Sequence, residues 1–126
     1  MKYPTLLIID DSRELLENTA ELLEVNRFHS LTANNGEQGI KIAGEIYPHL
    51  ILCDIMMPDI DGYAVLYTLK KNPKTADIPF IFLTARSEKR DMKKGLEAGA
   101  NGYLIKPFTT DALIQAVTKL LKKIKA

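Results

Sequence analysis

Asp10, Asp11, Asp54, Thr84 and Lys106 carry side chains suited to chemistry, and each stands where a short apolar run stops. Three carboxylates brought close together repel one another, so one must hold its proton or the set must share a cation. A hard divalent ion with oxygen ligands meets that need. Mg2+ suits it, because it takes one or two protein carboxylates and keeps positions for water and phosphate oxygens. A carboxylate beside such an ion is also a nucleophile toward phosphorus, giving an aspartyl phosphate. Transfer of a phosphoryl group asks mainly for charge stabilisation on its equatorial oxygens. Lys106 offers a mobile cation for one of them, and the hydroxyl or backbone N–H at Thr84 offers a hydrogen bond for another.

For this set to work, residues far apart in sequence must converge, and the pattern of the chain supplies a way. Short apolar runs alternate with segments of helical period. Thr5–Ile9 is a continuous apolar run of the kind buried on both faces, and it leads into Asp10-Asp11. Ser12–Asn26 follows as a helix with Leu15, Thr19, Leu22 and Leu23 on one face. Asp11 and Glu14 have capping-box spacing, and Ser12 is an alternative N-cap. Phe28–Ala33 reads as a weaker strand, and Gly36–Tyr47 as a helix whose apolar face holds Ile40, Ala43, Ile46 and Tyr47. Leu50–Cys53 is a third strand, ended by Asp54 and the loop Ile55–Gly62, with a helix over Tyr63–Lys71 that Asn72-Pro73 breaks. Ile78–Leu83 is a fourth strand with Pro79 near its start, where proline is tolerated. Ser87–Ala98 is a polar helix closed by Gly99, and Tyr103–Ile105 a short fifth strand. Thr109 or Thr110 caps the last helix, lined by Leu113, Val117, Leu120, Leu121 and Ile124.

Strands alternating with helices in this way predict an α/β domain with a parallel sheet covered on both faces. All carboxyl ends of such a sheet share one edge, where ligands bind at the point of strand-order reversal. Asp59 and Asp61 are better read as turn and capping residues than as metal ligands. Met56-Met57 reads as core fill, and His29 and His49 lack metal-ligand spacing.

Composition narrows the function. The chain has 126 residues, 46% hydrophobic and 26% charged, with a net charge of +1. Those are values for one ordered domain, and no strong field attracts nucleic acid or a membrane surface. The lysines at 119, 122, 123 and 125 read as a solvated helix end that favours the negative pole of the helix. Cys53 is the single cysteine and sits in an apolar run, which suits a core residue and a reducing compartment. The apolar run before Asp10 is too short for a signal peptide or a membrane span. The expectation is a cytoplasmic protein with one domain over residues 1–126 and no output domain.

With Asp10-Asp11, Asp54 followed by Met57-Pro58 and Asp61-Gly62, then Thr84-Ala85 and Lys106-Pro107-Phe108, the chain resembles the receiver domains of two-component response regulators over essentially its whole length. The resemblance implies a doubly wound (βα)5 flavodoxin-like three-layer sandwich, with a five-stranded parallel sheet of order 2-1-3-4-5. It implies Asp54 as phospho-acceptor, Asp11 as a direct Mg2+ ligand, Asp10 as a ligand through water, and the backbone carbonyl of Met56 in the metal shell. Lys106 would pair with the phosphoryl group, Thr84 would swing toward it, and Tyr103 would turn inward in response. The Lys106–Pro107 bond is expected to be cis. Implied partners are a sensor histidine kinase or a histidine phosphotransfer protein, then a downstream protein or attached output domain, with a phosphorylation-dependent homodimer as a further expectation. The face of the fourth helix, fifth strand and fifth helix would change shape. A bulky Met56 and a long Arg86 beside the phosphoryl group would slow its hydrolysis.

Two rival readings stand beside this one. A turnover phosphohydrolase lacks support, since Asp59-x-Asp61 follows a loop rather than a strand and no G-x-x-x-x-G-K-[ST] or G-x-G-x-x-G occurs. A degenerate receiver acting only as an interaction module is opposed by the intact set of Asp10, Asp11, Asp54, Thr84 and Lys106.

Overall fold

The computed structural model describes residues 3–85 and 89–125. Strands β1 (Thr5–Ile9), β2 (His29–Ala33), β3 (Leu50–Asp54), β4 (Phe80–Thr84) and β5 (Gly102–Ile105) alternate with helices α1 (Arg13–Val25), α2 (Gly36–Ile46), α3 (Gly62–Lys71), α4 (Lys89–Glu97) and α5 (Thr110–Lys125). The strands form one parallel sheet in the order β2-β1-β3-β4-β5. This is the doubly wound arrangement, and the order reverses between β1 and β3.

The sheet divides the core in two because successive side chains on a strand point to opposite faces. Leu7, Ile9, Ile51, Cys53, Phe80 and Phe82 meet Ala43 of α2 and Val65, Leu66 and Leu69 of α3. Leu6, Ile8, Leu50, Leu52, Ile81 and Leu83 meet Leu16 and Leu23 of α1 and Leu113 and Val117 of α5. Inner strands β3 and β4 are buried along their whole length, which is why they read as unbroken apolar runs. Each fully buried leucine or isoleucine contributes about 1.5–3 kcal/mol by leaving water. The sheet is therefore a stiff platform at its centre, where the carboxylates are mounted.

Several details depart from the sequence reading. Ser12, not Asp11, caps α1, its hydroxyl accepting the Leu15 N–H. Leu15 is exposed, and the buried stripe of α1 is Leu16, Thr19 and Leu23. On α2 the buried residues are Gly36, Gly39 and Ala43, while Ile46 and Tyr47 are exposed. There Gly39 lets the helix lie close to Ile9 of β1, and Gly36 lets it lie close to Val65 of α3 and Ile60, so glycines stand where apolar side chains would not fit; Tyr47 leaves the helix in the left-handed conformation with φ 54°. β4 begins at Phe80, two residues later than read, since Pro79 has no N–H to give the ladder. Asp54 and Thr84 lie inside their strands as last residues. Thr109 is the side-chain cap of α5, accepting from the Ala112 N–H at 3.0 Å. The helix expected to start at Ser87 is seen from Lys89; Ser87 and Arg86 lie outside the described residues. Among the described residues, no helix is long and apolar enough to cross a membrane.

Candidate functional site

β1 delivers Asp10 and Asp11, and β3 delivers Asp54, at the point where strand order reverses. A carboxylate oxygen from each of the three lies within 4.8 Å of the others. Asp10 and Asp54 are buried and Asp11 is exposed, so the cluster has a wet side. Asp10 is fixed twice: its backbone N–H donates to the Ala33 carbonyl at 3.1 Å, and its carboxylate accepts the Ser12 N–H at 3.0 Å. Asp54 is followed by Ile55, whose N–H donates to the Leu83 carbonyl at 3.3 Å. The Gly62 N–H donates back to the Ile55 carbonyl at 2.9 Å, closing the loop that leaves the site. Asp61 caps α3, accepting the Ala64 N–H, and Asp59 takes a turn conformation with φ 67°. Neither belongs to the metal-capable cluster found among the described residues.

Lys106 reaches this cluster from the end of β5. Its backbone N–H donates to the Thr84 carbonyl at 2.8 Å, and the Lys106–Pro107 peptide bond is cis. The ammonium donates to Asp10 Oδ2 at 2.9 Å and stands 3.5 Å from Asp54 Oδ1. Burial pushes the Asp54 carboxyl up to about 6, with Lys106 opposing and Asp10 and Asp11 adding to the rise. At neutral pH the ionised form still prevails, so Asp54 is a carboxylate of raised basicity in a half-dry site.

Thr84 is fully buried at the end of β4, beside Ile105 of β5. Tyr103 lies two residues before Ile105, its ring packed on Phe82 with centroids 5.5 Å apart. Met57 is buried in the core whereas the Met56 side chain is 57% exposed, so only the first half of that pair fails as core fill. His29 and His49 are exposed, and His49 Nδ1 accepts the Thr5 N–H at 3.0 Å, a structural task at the opposite edge of the sheet. Tyr63 escaped the sequence reading. Its hydroxyl lies 3.4 Å from that of Tyr103, and no local pattern announces a contact across forty positions.

The oxygen-only donor set of Asp10, Asp11 and Asp54 fits a hard divalent cation: three carboxylates face one ammonium, which leaves negative charge to be neutralised. A strand-end carboxylate raised in basicity, beside a cation site and a lysine, is suited to accept a phosphoryl group.

The sequence profile of the response regulator receiver domain matches residues 6–118. The chain belongs to the response regulator receiver domain family. This receiver is 35% identical over 120 residues to the DNA-binding dual master transcriptional regulator RpaA of Synechocystis sp., covering 95% of this chain and 50% of that protein. It is 34% identical over 119 residues to the phosphate regulon transcriptional regulatory protein PhoB of Escherichia coli, covering 94% and 52%. The chain thus spans about half the length of these curated relatives. Among solved structures, the receiver domain of a Francisella response regulator superposes with a TM-score of 0.89 at 30% identity, over 96% of this chain and 98% of that one. The signal receiver domain of a signal transduction histidine kinase from Syntrophus aciditrophicus gives 0.88 at 34% identity, over 97% and 92%.

Proposed function

We propose that this receiver is a phosphorylation-activated switch that accepts a phosphoryl group on Asp54. The observation that carries the reading is the convergence of Asp10, Asp11 and Asp54 within 4.8 Å, with Lys106 joining Asp10 to Asp54. In the transfer, an Asp54 oxygen forms the new bond to phosphorus while the bond from phosphorus to a donor imidazole nitrogen breaks. Mg2+ would be held by Asp11 and Asp54, by Asp10 through water, and by the Met56 backbone carbonyl. When bound, it supplies positive charge to the carboxylates and to the phosphoryl oxygens. Lys106 would exchange its pairing with Asp10 for one with a phosphoryl oxygen, and the Thr84 hydroxyl would donate to another. The phosphoryl group carries about −2 where the carboxylate carried about −1, and this change biases the end of β4 and β5 toward a second arrangement that Tyr103 follows.

The donor is a sensor histidine kinase or a histidine phosphotransfer protein. The reader is a downstream protein, an attached output domain or a second copy, engaged through α4, β5 and α5. The relatives support both settings: RpaA and PhoB are transcriptional regulators, and the Syntrophus domain belongs to a histidine kinase. The Met56 side chain, exposed in the structure, would cover the phosphoryl group and slow water attack.

The test is incubation with acetyl phosphate, with and without Mg2+, read by intact mass with Asp54→Asn as control. One Mg2+-dependent phosphoryl group that disappears in the variant is the expected result. Absence of label under every condition would replace the switch with a pure interaction module.

A further inference from the structure

We propose that Gly95 is a positioning residue: the notch it leaves in α4 receives the Tyr103 ring, so Tyr103 and α4 move as one unit. The link to Asp54 rests on the switch reading above, whereas the notch stands on its own geometry. Gly95 lies buried within α4, where a helix interior favours alanine over glycine. A Cβ at this position would stand 2.7 Å and 2.8 Å from Tyr103 Cε2 and Cζ, and closer still to the hydroxyl oxygen. Real side chains do not approach so closely, so the ring occupies its place only because residue 95 has none.

The other sides of the ring are equally defined. Phe82 of β4 lies against it at 5.5 Å between centroids, tilted by 44°. The Tyr103 hydroxyl meets the Tyr63 hydroxyl at 3.4 Å, and Lys94, next to Gly95, places its ammonium 4.5 Å from the centre of the Tyr63 ring. Tyr103 is therefore the point where α3, α4 and β5 touch, and α4 is tied to α3 through Lys94 and Tyr63. Packed interiors tolerate two discrete arrangements better than a continuous deformation. A ring withdrawn from the notch leaves a void beside the α4 backbone that the helix closes by shifting, and a returning ring forces the helix back out. Tyr103 sits on the same short segment as Lys106, so a rearrangement at the carboxylates reaches α4 through the notch.

A double-mutant cycle tests this. Gly95→Ala is expected to lower the Tm and to move the fluorine signal of Tyr103 in chain labelled with 3-fluorotyrosine. In the Tyr103→Ala background the same substitution is expected to raise the Tm, because only helix propensity remains. A rise in both backgrounds, with the Tyr103 signal unmoved, would overturn the proposal. If Gly95→Ala alone fails to fold and the double variant folds, the notch is confirmed by rescue; if both fail, the fault lies in the helix and the proposal falls. Beryllofluoride added with Mg2+ should shift the α4 amides of the parent and leave them in place in Tyr103→Ala, with acetyl phosphate labelling of Asp54 retained in both. Unlabelled parent chain would sink the switch reading and leave the Tm cycle to decide the notch, so the two fail separately.

Discussion

The Lys106 ammonium stands nearer to Asp10, at 2.9 Å, than to Asp54, at 3.5 Å, so the cation lies between two strands instead of belonging to one. It is the main influence holding the Asp54 carboxyl down against burial, which alone would push it higher than about 6. Lys106→Met is therefore expected to raise the Asp54 pKa above its parent value. A carbon-detected NMR titration of the aspartate carboxyls without metal checks this. An unchanged or lower value would show that Lys106 is paired with Asp10 alone.

Burial of Asp54 also sets a pH dependence of stability. Its carboxyl titrates at about 6 in the folded chain against an ordinary value of 3.8, so folding favours the protonated form. Below the ordinary value the residue costs nothing; as pH rises through that value and past the folded one, a penalty develops and then levels off. The shift corresponds to ~3 kcal/mol at full strength, and to ~1–2 kcal/mol once solvent screening on the wet side is allowed for. Asp54→Asn should thus stabilise the metal-free protein by that amount at about pH 8 and by little at about pH 3.5. Denaturant melts at the two pH values measure the difference; a gain that is equal at both would place its origin in packing.

The same excess of negative charge predicts a response to divalent cations. Asp10, Asp11 and Asp54 present carboxylate oxygens within 4.8 Å with one ammonium among them. Mg2+ that binds the folded state only should raise the Tm with concentration, its stabilisation reaching about 2.7 kcal/mol at a hundredfold excess over Kd. Asp11→Asn should abolish most of that rise while barely touching the apo protein, because Asp11 is exposed. Melting curves across a Mg2+ series check this, and a full response in Asp11→Asn would exclude it from the donor set.

Much of this site was legible in the sequence because its parts sit at strand ends. Apolar runs ending at Asp10, Asp54 and Thr84 carry both the strand and its functional terminus in one local pattern. The strand order is not local, and it came from the resemblance to receivers; the parallel register β1 to β3 and β1 to β2 confirms it. What the pattern mishandled was which face of a helix touches the sheet. Leu15 looked like a core residue and is exposed, and Ile46 and Tyr47 at the end of α2 are exposed too. Close approach of α2 to β1 through Gly39, and to α3 through Gly36, inverts the usual rule, since the buried side is marked by missing side chains. Gly95 gave the same signal, an isolated glycine within a helical run, but its reason, the Tyr103 ring, lies on another element.

The tightest constraint on the nucleophile is a glycine. A Cβ on Gly62 would stand 2.5 Å from the Asp54 carbonyl oxygen and 2.8 Å from Ile55 Cα. Both are backbone atoms at the end of β3, and Phe82 closes the third side at 3.1 Å, so no flexible side chain can yield. Gly62→Ala must then push β3's end away from α3, stretching the 2.9 Å hydrogen bond from the Gly62 N–H to the Ile55 carbonyl. The expected cost is about 1–3 kcal/mol, typical of overpacking a filled interior. Because the strain falls on the segment that carries Asp54, labelling by acetyl phosphate should slow severalfold even in the fraction that remains folded. Labelling rates at a temperature well below the variant's Tm separate the two effects. A destabilised variant that labels at the parent rate would show that β3 holds its carboxylate independently of the turn into α3.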